Sequence, residues 1–123
     1  MDAPFTLRFD IFWRWLATHP NCILRAGTPE AVLYDDDDLH WYLGAEGEST
    51  LLAQILRGKR LLGEILLDPD QVSYVQAVPS ENEGEHVFEL ISEAGDTPFA
   101  AYFFVLAHGF EEGEDPSPPG RVH

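Results

Sequence analysis

The sequence predicts an α+β fold, an N-terminal amphipathic helix packed on an antiparallel, meander-like sheet of about six or seven strands. Two observations lead there. Apolar residues recur at helical spacing near the N-terminus. From residue 22 onward, short apolar or alternating runs are separated by polar turns, the signature of antiparallel hairpins.

Thr6 to Thr18 reads as the helix, with Phe5, Phe9, Phe12, Trp13 and Leu16 forming one wide apolar face. Leu7, Ile11 and Trp15 fall outside that stripe. The helix is therefore either buried between layers or left with an exposed aromatic side. His19-Pro20-Asn21 stops it, because the residue before a proline is pushed out of the helical region.

Cys22 to Ala26 is the first strand and Gly27-Thr28-Pro29 a turn. Ala31 to Tyr34 follows, ended by the run Asp35-Asp36-Asp37-Asp38. Leu39 to Leu43 is the next strand, and Gly44 to Glu48 turns the chain. Thr50 to Leu56 fits a short helix capped by Ser49 and ended at Gly58. It also fits a doubly buried strand, with Gly58-Lys59 as a two-residue turn into Leu61 to Leu67; the strand is preferred.

Asp68-Pro69-Asp70 is a turn, and Val72 to Val78 alternates as a strand. Pro79 to Gly84 is a polar loop, His86 to Ile91 alternates again, and Glu93 to Thr97 turns the chain. Phe99 to Leu106 is apolar on both faces, and its aromatic and β-branched content favours a strand over a helix at Pro98 to His108. With helices at Thr50 to Leu56 and Pro98 to His108 instead, the element order would be similar to that of type III secretion chaperones, which are also small and acidic. That likeness lies in order and charge, not in a motif. Residues 1–110 form the expected single domain, and residues 111–123, acidic and proline-rich, the expected flexible tail.

Charge is the most unusual property. The chain holds 22 acids and 7 bases, a net charge of −15. From Leu61 to Gly120 there are 13 acids and no Lys or Arg, while Arg57, Lys59 and Arg60 cluster just before that half. Such a balance repels nucleic-acid phosphate and anionic membranes, so neither is an expected partner. No apolar stretch approaches membrane-spanning length and no signal peptide is read, which makes the cytoplasm the expected compartment. A single cysteine, Cys22, agrees with a reducing compartment.

No catalytic constellation is legible. Asp35 to Asp38 with His40 could hold a divalent cation, but the spacing is not that of a calcium loop and adjacent carboxylates point apart. His19, His40, His86, His108 and His123 form no zinc-type pair. Cys22, beside Ile23 and Leu24, reads as a small core residue rather than a nucleophile. The Gly44 to Glu48 loop lacks a phosphate-binding lysine. No cofactor, metal or catalytic residue is therefore expected.

The leading functional expectation is a non-catalytic protein-binding module of adaptor, chaperone or immunity type. Its carboxylates would steer in a protein with a basic surface, and aromatic anchors would hold it. The expected partner-binding residues are Ile11, Trp15, Trp41, Glu81, Glu83 and Glu85. Two alternatives stand beside it. One is a nucleic-acid mimic whose carboxylate row inhibits a DNA-binding protein. The other is a small enzyme or ligand-binding domain with a pocket between helix and sheet.

Overall fold

The computed structural model describes residues 5–80 and 82–110. The chain runs β1 (Phe5–Leu7), α1 (Phe9–Ala17), β2 (Ile23–Gly27), β3 (Val32–Tyr34), β4 (His40–Glu46), β5 (Thr50–Arg57), β6 (Arg60–Leu67), β7 (Tyr74–Pro79), β8 (His86–Ser92) and β9 (Phe99–Leu106). Short 3-10 turns lie at Pro20–Cys22 and Pro69–Gln71. Every strand pairing is antiparallel. The strands form a six-stranded sheet in the order β1-β7-β8-β9-β2-β3 and a separate meander β4-β5-β6. The expected α+β fold is present, with one helix and antiparallel sheets, but with nine strands in two sheets rather than six or seven in one.

Geometry explains the second sheet. Six strands about 4.8 Å apart span roughly 24 Å, whereas one helix covers a width of about 10 Å. A single helix leaves much of that face bare, and the meander covers it. Phe12 and Trp15 of α1 meet Phe88, and Phe12 also meets Phe104, on one face of the large sheet. Trp41, Ala53, Ile55, Ile65 and Leu67 of the meander join the same buried cluster. Gly63 has no side chain, which lets the Leu33 methyl come within 2.7 Å of where a Cβ would stand and seats β3 against β6.

The helix begins later than its apolar pattern suggests. Phe5–Leu7 pairs with β7, Phe5 opposite Ala77. Arg8 stays extended at φ −71 and ψ 145, so the helical turn starts at Phe9. At the other end Thr18 Oγ1 donates to the Trp15 carbonyl at 2.7 Å, and His19 N–H donates to that of Leu16, before Pro20 ends the helix.

The two ambiguous segments are both strands, and both are central. β5 lies between β4 and β6, and β9 lies between β8 and β2. A central strand flanked by apolar strands carries apolar residues on both faces and does not alternate, which is why these segments mimicked buried helices. Gly58 and Lys59 make the two-residue turn between β5 and β6, with Gly58 at φ +60. A positive φ at only the first turn position suits the right-handed twist of the flanking strands. The acidic segment 111–123, expected to be a flexible tail, lies outside the described residues. No helix among the described residues is long and apolar enough to cross a membrane.

Candidate functional site

Three features stand out from the core, and the first lies where α1 hands the chain to β2. Ile23 pairs with Leu106, and just beyond that pair, past Ala107, Cys22 and His108 arrive side by side. Ala107 N–H donates to the Cys22 carbonyl at 2.9 Å. Cys22 Sγ lies 3.1 Å from His108 Nε2, and His108 Nδ1 lies 3.2 Å from the Gly109 carbonyl. A proton on Nδ1 facing that carbonyl leaves Nε2 to accept the thiol proton. The rings of Trp15 and His19 close round the pair, with His19 and His108 centroids 5.0 Å apart. Thiol and imidazole in contact are the parts of a cysteine nucleophile, although no carboxylate among the described residues orients His108. This pair is invisible in sequence, because it depends on a pairing of strands more than eighty residues apart.

The second feature is the loop after β7. Arg25 on β2 makes a two-pronged pair with Glu85, Nη2 to Oε1 at 2.9 Å and Nη1 to Oε2 at 3.1 Å. The pair bridges the strands flanking β9 on the face that carries Val105, which is buried. The hydrogen bonds from Arg25, then from Asn82, hold the Glu85 carboxyl below its ordinary 4.5. The same contact raises Arg25. Beside the loop lies a cavity of about 260 Å3, lined by Phe5, Val78, Glu83, His86 and Phe110 among others.

The third feature is the outer face of the meander. Strand register places Tyr42, Gln54 and Glu64 in one row across it, and Gly44, Leu52 and Leu66 in the next. Gln54 donates to Glu64 at 2.9 Å. The Tyr42 ring lies over Gly44. Tyr42 is 53% exposed, Leu61 48%, Leu62 43% and Leu66 51%, so this face is apolar and uncovered by the described residues. Arg57, Lys59 and Arg60 stand at one end of it, on the tip of the β5-β6 hairpin. Glu46 and Glu48 stand at the other end, with Asp68 and Asp70 following β6. Among the described residues, Arg8, Arg14 and Arg25 make ion pairs, whereas the three hairpin bases make none.

The expected partner-binding residues are scattered and partly withdrawn. Trp15 is fully buried, and Trp41 is 5% exposed, so neither is a surface anchor. Trp15 faces the core because the buried stripe runs Phe12, Trp15, Leu16 once Phe5 is removed from the helix into a strand. Trp41 lies on the inner face of β4 opposite Ile55, and its Nε1 has no hydrogen-bond partner. Ile11 is half-buried. Glu83 is exposed, Glu85 is committed to Arg25, and Glu81 lies outside the described residues. The four-aspartate run is a solvated turn in which Asp37 N–H donates to Asp36 Oδ1 at 2.7 Å. No group of three or more His, Cys, Asp or Glu among the described residues could hold a metal ion. Sequence reasoning missed the apolar outer face of the meander. Its signal was present in Leu61, Leu62 and Leu66, but that run was read only as the strand that follows the Gly58-Lys59 turn.

Comparison with protein-family models, with curated proteins and with solved structures finds no match.

Proposed function

We propose that the chain is a non-catalytic protein-binding module, of adaptor, chaperone or immunity type, whose partner carries a basic surface. One observation carries the reading: the acidity is not spent inside the fold. Among the described residues only Asp10 and Glu85 take part in ion pairs. Asp35, Asp36, Asp37, Asp38, Glu46, Glu48, Asp70, Glu93 and Asp96 are all exposed, and none of them makes an ion pair among the described residues. Carboxylates left free in this way attract a cationic surface over a Debye length and raise its encounter rate. Burial of Trp15 and Trp41 removes the aromatic grip expected at those positions and leaves the carboxylates as the recognition element. The mimic of nucleic acid is the weaker alternative, because Glu85, which falls within its carboxylate row, is already neutralised by Arg25.

The test is capture from the native host on the immobilised chain, at low and at high salt, repeated with Asp35, Asp36, Asp37 and Asp38 all changed to Asn. The expected result is a retained protein of high isoelectric point, released by salt and weakened by the Asn variant. Retention of no protein at either salt concentration overturns the reading.

A further inference from the structure

The β6 edge of the meander has the chemistry of a self-complementary strip, and we propose that two copies of this chain associate along it, the edge strands β6 pairing antiparallel across a two-fold axis. β6 is an edge of its sheet, with one side bonded to β5 and no strand among the described residues on the other. Its exposed residues are Arg60, Leu61, Leu62, Glu64 and Leu66. Eight residues with four leucines and one isoleucine form a long apolar edge, which proteins normally blunt or cover. A bulge beside Leu61 and Gly63 and the charge of Glu64 guard only part of it.

Charge selects the occupant. The strand has bases at its start, Arg57, Lys59 and Arg60, and acids just past its end, Asp68 and Asp70, none of which makes an ion pair among the described residues. A strip that is positive at one end, apolar in the middle and negative at the other matches its own copy turned by two-fold rotation. Antiparallel pairing centred near Glu64 and Ile65 brings Arg60 of each copy beside Asp68 and Asp70 of the other. It also brings Leu62 of each copy to Leu66 of the other on the outer face, where cross-strand apolar pairs stabilise a sheet. The same rotation places Glu64 near its counterpart, the one unfavourable contact. Association through β6 hides the basic cluster and leaves the dimer acidic on its remaining surface. It shares only Asp70 with the partner-binding reading, whose test rests on Asp35 to Asp38, and either stands if the other fails.

Sedimentation velocity of the full chain over a concentration series tests the proposal. A monomer–dimer equilibrium is expected. Leu66→Lys, at an exposed position where folding is checked by circular dichroism, is expected to weaken it at least about tenfold in Kd. Arg60→Glu and Asp70→Lys are each expected to weaken it, and the double variant to restore it. Glu64→Gln is expected to tighten it, whereas Glu93→Gln, which removes the same charge outside the meander, leaves it unchanged. A chain that stays monomeric throughout overturns the proposal. So does a dimer indifferent to Leu66→Lys, or a charge swap that fails to restore association. Continued retention of a basic partner by the Leu66→Lys variant then shows the binding reading intact.

Discussion

Arg25 shows how one residue pair can fix a loop. Both guanidinium nitrogens engage Glu85, and Asn82 adds a third donor from within the loop. The lowered Glu85 carboxyl gives this contact a definite pH dependence. Its contribution is present above the ordinary carboxyl value of 4.5 and is lost as the pH falls through the lowered folded value. Arg25, raised further, stays charged throughout. The stability difference between the native chain and Arg25→Met, measured by urea unfolding, is therefore expected to be largest near neutrality and to shrink in acid. A difference that does not change with pH would show that the contact acts by packing alone. The Cys22–His108 contact is of a different kind, a thiol against an imidazole with the Trp15 ring beside it. Nothing at either residue announced it, since Cys22 carries the local signature of a core residue and His108 that of a strand end.

At the scale of elements, the hairpin between β5 and β6 depends on Gly58. Its φ of +60 lies in the region where a Cβ meets the following carbonyl. Gly58→Ala is expected to cost about 1–2 kcal/mol, seen as a lower denaturant midpoint. Gly95→Ala is the control: its Cβ would meet nothing within 4 Å and its φ is not positive. That change should be neutral or slightly stabilising. A similar loss for both would refute the argument. The hairpin was legible from Gly58-Lys59 between two apolar runs, and so were the strand sites and the helix stop at His19-Pro20. Two things were not legible. Phe5–Leu7 continued the helical pattern without a break, and only pairing with a strand some seventy residues later made it β1. The division into two sheets was also hidden, because polar turns join hairpins without saying where one sheet ends. Trp15 was placed off the helix's apolar stripe for the same reason as β1: Phe5 drew the stripe toward itself.

For the whole molecule the governing quantity is the net charge of −15. With few ion pairs among the described residues, the folded state holds many carboxylates close together, and their mutual repulsion opposes compactness. Sodium chloride screens that repulsion. The midpoint of thermal unfolding is expected to rise with added salt, by roughly 3–6 °C for each kcal/mol recovered. A midpoint that falls with salt would mean that attractive pairs dominate instead.

The separation of the two sheets also has a consequence in time. The meander β4-β5-β6 is contiguous in sequence, and each of its pairings joins neighbours along the chain. The large sheet is woven from both ends: β1 must find β7, and β2 must find β9, with Ile23 against Leu106. Closing such long loops costs entropy before any contact rewards it. During synthesis the meander can form while the chain is still emerging. β2, by contrast, stays open on the side meant for β9 until the last described strand has left the ribosome, so the N-terminal helix and its aromatic residues wait longest for their core.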